Sequence, residues 1–237
     1  MTQCRSRQVH RLSGAASALA ISTLLLMPGV ARAEMVLSFY LGANQSPEST
    51  VGYDFNRGAG AETADVSWDG EAYKMPPYFG VRAIWWLESH PNWGFGIDNV
   101  HAKIAADPMP DGFKVLEFTD GVNMISANAH YRWQNQSTFT PYAGVGVGIT
   151  TPHVEVTNSD GTSETFWYQF GGGSAQALIG LEAAINDRWS VFAEAKLAKF
   201  WIDVDLQYGG RLETDVLSRQ VAIGVNYTLQ KNPFKRR

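Results

Sequence analysis

The ten residues Thr140 to Ile149, TPYAGVGVGI, decide how the rest of the chain is read. Pro141, Ala143, Val145, Val147 and Ile149 fall on one parity, and Tyr142, Gly144, Gly146 and Gly148 on the other. Alternate side chains of a strand point to opposite faces, so this run predicts a strand with one continuous apolar face. The pattern recurs. Val221, Ile223, Val225, Tyr227 and Leu229 alternate with Gln220, Ala222, Gly224, Asn226 and Thr228. Ala175, Ala177, Ile179, Leu181 and Ala183 oppose Ser174, Gln176, Gly180 and Glu182, while Val191, Ala193, Ala195 and Leu197 oppose Ser190, Glu194 and Lys196. Charged residues therefore sit in mid-strand on the face opposite the apolar one.

Extending outward, eight such segments emerge: 35 to 46, 72 to 87, 93 to 105, 114 to 133, 140 to 156, 165 to 185, 189 to 203 and 212 to 229. Short turns at Glu88 to Asn92, Gln134 to Phe139 and Asn186 to Arg188 alternate with longer polar links at Pro47 to Glu71, Ala106 to Phe113, Thr157 to Glu164 and Asp205 to Arg211. Trp85, Trp86, Trp93, Trp133 and Trp189 border the short turns with Tyr131, Tyr142 and Tyr227, as amphipathic rings do at a headgroup boundary. These features predict an all-β fold, an eight-stranded antiparallel up-and-down transmembrane β-barrel of the outer-membrane type. Such a barrel pairs every backbone group internally and fills its lumen with side chains. Glu182, Glu194 and Lys196 are expected there as an ion-paired network. A soluble eight-stranded barrel binding a small ligand would need the apolar faces inside, against the Trp placement.

Composition bounds the remaining options. The chain has 237 residues and a formal charge of -4, which argues against a nucleic-acid partner. Arg5, Arg7 and Arg11, the apolar run Leu12 to Met27 and Ala31-Arg32-Ala33 read as a cleaved signal peptide over 1–33. Its removal leaves 15 Lys+Arg against 23 Asp+Glu, a charge of -8, and takes away the single cysteine, Cys4. The barrel is assigned to 34–229 and a basic periplasmic tail to 230–237. The expected location is the bacterial outer membrane, as a monomer delivered by the assembly machinery, with loops extracellular and termini periplasmic.

Polar residues collect at the predicted outer ends of three consecutive strands. His101 and Lys103 close the third, Glu117 and Asp120 open the fourth, and His153 and Glu155 close the fifth. A His with carboxylates from neighbouring strands suits either a divalent cation or an acid and base pair. A charged rim, facing lipopolysaccharide and bridged by cations, explains the same residues. Parity leaves open whether His101 and His153 face the lumen.

Beyond these residues, SWDGEAYKMPPYFGVRAIWW at 67 to 86, HAK at 101 to 103, LEFTDG at 116 to 121, TPHVEV at 151 to 156 and LETD at 212 to 215 resemble the rhizobial lipid A oxidase group of small outer-membrane barrel proteins. The likeness covers nearly the whole mature chain. It implies oxygen-dependent oxidation of the proximal glucosamine of lipid A to 2-aminogluconate, with hydrogen peroxide as the other product and lipopolysaccharide of the outer leaflet as partner. With it, His101, Glu117, Asp120, His153 and Glu155 become the expected reaction zone. Lys74, Arg82, Lys103 and Arg211 become the expected contacts for lipid A phosphates, and a divalent cation is the cofactor to be looked for. The rival is a non-enzymatic barrel that stabilises the membrane or presents adhesive loops.

Overall fold

The computed structural model describes residues 34–56, 58 and 60–229, so the expected signal peptide (1–33) and the expected basic tail (230–237) lie outside the described residues. Within them the alternating segments form thirteen strands: β1 (Glu34–Asp54), β2 (Glu62–Asp69), β3 (Phe79–Trp86), β4 (Trp93–His101), β5 (Ile104–Ala106), β6 (Phe113–Phe118), β7 (Met124–Arg132), β8 (Phe139–Thr150), β9 (His153–Asn158), β10 (Glu164–Tyr168), β11 (Gly172–Ala184), β12 (Trp189–Leu206) and β13 (Gly210–Thr228). Five pairs are broken halves of one strand each: β2 with β3, β4 with β5, β6 with β7, β8 with β9, and β10 with β11. Together with β1, β12 and β13 they make eight antiparallel barrel strands. Closure comes from β1, which pairs with β13 from Val36↔Thr228 onward and with β3 from Glu34↔Trp86 to Leu41↔Phe79.

The break points lie at one level of the wall, and the chemistry of the barrel inverts across it. On β12, Val191, Ala193, Ala195 and Leu197 face outward below that level, while Ser190, Glu194 and Lys196 are buried in the lumen. Above it, the outward positions become Lys199, Trp201, Asp203 and Asp205, and the inward ones Phe200, Ile202, Val204 and Leu206. On β13 the same switch separates Val221, Ile223 and Val225 from Arg211, Glu213, Asp215 and Arg219. Along β12 and β13 the period of two does not slip across this level; only the solvent on each side changes. Apolar outside and polar inside suits lipid, and the reverse suits water.

This inversion corrects the expected loops. Much of Pro47 to Glu71 is strand, because β1 runs on to Asp54 and β2 occupies Glu62–Asp69. The expected strand residues 72 to 78 are instead a loop that exposes Tyr73 and Met75 while Ala72 and Tyr78 are buried, the Tyr78 hydroxyl donating to Gln220 (2.7 Å). The link at Asp205 to Arg211 shrinks to a single 3-10 turn, Gln207–Gly209. In the upper wall, β10 forms no ladder with β12. Side-chain amides stand in: Gln169 Nε2 donates to Asp205 O (2.9 Å) and Asp205 N donates to Gln169 Oε1 (2.8 Å). Likewise Gln207 N donates to Thr165 Oγ1 (2.9 Å).

The lower lumen is filled by a charge cluster. Arg82 donates to both oxygens of Glu194 (2.9 and 2.7 Å) and to Asp98 Oδ2 (3.1 Å). Lys196 Nζ reaches the same Asp98 oxygen at 3.1 Å, and the hydroxyls of Tyr40 and Tyr142 donate to Asp98 (2.6 Å) and Glu194 (2.9 Å). Two cations meet two carboxylates, which neutralises the cluster. Gly180 makes room for it, since a Cβ there would come within 2.3 Å of the Tyr142 ring. Glu194 and Lys196 thus join the expected network, whereas Glu182 stands apart and accepts from Asn226 (3.2 Å). A separate pair, Arg132 with Glu34 (2.8 Å), closes the lower end beneath Trp86, whose ring lies 4.1 Å from the guanidinium carbon.

Trp86 and Tyr142 are therefore lumen residues and not part of an aromatic girdle. Trp93, Trp133 and Trp189 do face outward beside the short turns, as expected, and Trp167 and Trp201 are exposed at the upper level.

Removing one member of a buried ion pair leaves the other charge unpaired, which costs about 3–5 kcal/mol. Arg82→Ala should lower the unfolding free energy of the detergent-folded barrel by about that much in a urea titration. Arg219→Ala, on the outer wall, should stay within about 0.5 kcal/mol of the unaltered protein.

Candidate functional site

The break level brings the expected reaction residues to the outer wall of barrel strands three to five. On β8 the last lipid-facing side chain is Ile149, and His153 follows four residues later, about 13 Å further along the strand. Val154 and Val156 are buried in the upper core, so His153 and Glu155 take the outward parity. On β4, Asp98 faces the lumen, and His101 takes the outward parity and stacks on Phe79, its register partner (centroids 5.1 Å apart, 23° between planes). The parity question left by the sequence is thereby answered: both histidines belong to the wall.

Gly121 links them. Its carbonyl accepts from His153 N (3.2 Å), and a Cβ on it would come 2.6 Å from His101 Nδ1. Its φ of +82° is in the region that favours glycine. The ring of His101 is held by a contact between Nδ1 and Asn123 Oδ1 (3.0 Å). His153 Nδ1 lies 3.9 Å from Asp120 Oδ2, beyond hydrogen-bond reach.

Glu117 and Glu155 are direct cross-strand partners of β6 and β9. Like charges directly opposite one another repel. Thr119 stands between them: its hydroxyl contacts Glu117 Oε1 (2.9 Å) and makes a short contact to Glu155 Oε2. A hydroxyl has one proton, so with both carboxylates ionised it can satisfy only one of them. A proton held on one carboxyl satisfies both. Burial pushes the Glu117 carboxyl above its usual range, the bond from Thr119 opposes this, and the negative charges of Glu155 and Glu71 add to the upward shift. The two carboxyls are thus joined through one hydroxyl, with Glu117 the one that burial and its neighbours favour in the protonated form.

The donor oxygens of Glu117, Glu155 and Thr119 match a hard divalent cation in type. In number they do not, for among the described residues no three His, Cys, Asp or Glu side chains gather as a metal site requires.

The expected phosphate contacts divide. Lys74 lies on the loop at 72 to 78, exposed and bonded to Glu71. Lys103 is buried, with Nζ donating to Met75 O (2.9 Å) of that loop. Arg82, expected at the outer rim, is instead enclosed in the lumen and saturated by carboxylates, because its strand position has inward parity. Arg211 lies four strands from β6 around the wall and is occupied by Asp203 (2.5 Å) and Glu213 (2.7 Å). Thr119 and Gly121 join the site although the sequence did not single them out, and Asn123, expected from the sequence as a lumen residue, joins it by holding His101 and the carbonyls of Asp120, Gly121 and Thr151. Thr119 lies inside LEFTDG, where a hydroxyl two residues from an acid on one strand face was the available signal.

No family model matches the chain, and no curated protein matches it. Solved structures do. The outer membrane protein OprG from Pseudomonas aeruginosa aligns over 84% of this chain and 98% of its own, at 12% identity and a TM-score of 0.56. The outer membrane protein AlkL in lipid bilayers aligns over 100% of both chains (13% identity, TM-score 0.48). Neisserial surface protein A aligns over 83% of this chain and 97% of its own (13% identity, TM-score 0.46). The likeness to OprG is one of fold, and the fold is that of a small outer-membrane barrel.

A carboxyl whose folded pKa is raised adds stability below the ordinary carboxylate range and loses it as pH rises through the raised value. Glu117→Gln, which stays neutral, should match the unaltered protein in melting temperature near about pH 4 and exceed it near about pH 7. Circular-dichroism melts of the detergent-folded barrel check this; equal differences at both pH values would refute it.

Proposed function

We propose that this protein is an outer-membrane barrel enzyme that oxidises the proximal glucosamine of lipid A to 2-aminogluconate. The observation that carries the reading is the Glu117, Thr119 and Glu155 couple on the outer wall, above the lipid-facing band that ends at Ile149. Lipid A sugars occupy that height in the outer leaflet when the upper barrel faces outward and the termini lie in the periplasm. The sequence resemblance supports the same substrate.

In this scheme the carboxylate of the couple takes the proton of the C1 hydroxyl of the sugar. Dioxygen accepts two electrons and two protons in total and leaves as hydrogen peroxide, and C1 becomes a lactone carbonyl. Water opens the lactone, so the product gains one oxygen atom. Asp120 and His153 stand beside the couple to orient the sugar. Lys74 is the exposed cation on this side of the barrel that could turn from Glu71 to a phosphate; Lys103 is buried against the Met75 carbonyl, and Arg82 and Arg211 are held by carboxylates.

The rival reading, a surface barrel without chemistry, is favoured by the self-paired ladder of Asp203, Arg211 and Glu213 on the opposite wall, which needs no ligand. Mass spectrometry of lipid A separates the two. Aerated cells expressing the protein should gain one oxygen at the proximal sugar, and anaerobic cells should not. Glu117→Gln with Glu155→Gln should reduce conversion by about 100-fold or more with the barrel still assembled. If no oxygen gain ever accompanies the protein in air, the oxidase reading fails and the surface barrel stands.

A further inference from the structure

Beside the carboxylate couple lies an aromatic surface that the oxidation scheme does not use. The register of β9 and β10 sets Tyr168 opposite His153 and Phe166 opposite Glu155. The imidazole of His153 is wedged between the two rings, with centroids 4.5 Å from Phe166 and 4.6 Å from Tyr168. Both rings are more than half exposed, at 57% and 56%, whereas His153 is 5% exposed. Its Nδ1 is buried and has no hydrogen-bond partner among the described residues. A buried polar nitrogen left unpaired is costly and needs explanation.

Neighbouring charge separates this surface from a simple membrane belt. Rings that only meet acyl chains need apolar surroundings, but these are bordered by Asp120, Glu155 and Glu117. Acyl chains cannot solvate carboxylates; hydroxyl groups can. Exposed apolar rings edged with acceptors complement a pyranose ring, which has a face of C–H groups and a rim of hydroxyls. The rings are aromatic and polarisable, the kind of surface that packs well against such a face.

We propose that Phe166 and Tyr168, with His153 held between them, form a stacking platform for a saccharide ring whose rim hydroxyls are received by Asp120 and Glu155. The platform takes the identity of its sugar, a hexosamine of the outer leaflet, from the function proposed above. Phe166 and Tyr168 are then positioning residues that decide which ring lies against Glu117, while His153, buried between them, holds the two rings in place.

The test separates binding from oxidation. The full chain, folded in detergent and kept under argon, is titrated with a glucosamine disaccharide free of acyl chains and phosphates. Saturation-transfer NMR should mark the C–H protons of one ring face. Phe166→Leu combined with Tyr168→Leu should weaken binding by about 10-fold or more, and Tyr168→Phe, which keeps the ring, should stay within about 3-fold. Undiminished binding by the double variant overturns the platform and leaves the rings as a membrane belt, and failure of the unaltered protein to bind the disaccharide overturns it too. Lipid A mass spectra of the same variants complete the design. Disaccharide binding without any oxygen gain in air overturns the oxidase reading alone, and full oxygen gain in the double variant overturns the platform alone.

Discussion

Backbone hydrogen bonding in a medium without water is the constraint on which the other features depend. A sheet that crosses lipid must leave no edge, so β1 pairs with both β13 and β3 and the ring closes. With eight strands the enclosed space is narrow, and every inward side chain meets others across it. The charges on the inward faces of β3, β4 and β12 are thereby forced together as Arg82, Asp98, Glu194 and Lys196. Their mutual neutralisation is what makes the inward charges tolerable, and it leaves the lumen plugged at that height.

Where lipid ends, the constraint relaxes and the wall changes character. Above the break level the exterior is charged and the interior is packed with Phe200, Ile202, Leu206, Leu212 and Val216. The upper wall even dispenses with one ladder, between β10 and β12, and bridges the gap with Gln169 and Gln207. Water at the outer surface makes such a seam affordable where hydrocarbon would not. The breaks themselves free backbone groups and give room for Gly121 and Asn123 to bend, and this is why polar side chains gather at that level.

The candidate site follows from the same transition. Glu117 and Glu155 face each other because β6 and β9 pair in that register, and Thr119 lies close enough to bridge them. Placed lower on the wall, the two carboxylates would face hydrocarbon; placed higher, they would be far from the membrane surface. In the proposed function, their position between these limits is what ties the site to the boundary of the bilayer.

Much of this was legible in the residues. Alternation over Thr140 to Ile149 and its repeats specified strands and their number, because a period of two has only one geometric meaning, and the Trp residues beside the short turns set the apolar faces of the lower wall outward. The grouping of His101, Glu117, Asp120, His153 and Glu155 on consecutive strands also followed from chain order. Other features were not legible. Alternation shows which residues share a face but not which solvent that face meets, so the inversion on β12 and β13 and the true length of β1 escaped it. Parity also breaks at Pro152 and at 119–123, where local bends decide direction. The lumen fate of Arg82 and Trp86, the pairing of Glu117 with Glu155, and the place of His153 between Phe166 and Tyr168 were decided by tertiary structure alone. Each depends on cross-strand register, which is set by the closed sheet as a whole and by no single segment of the chain.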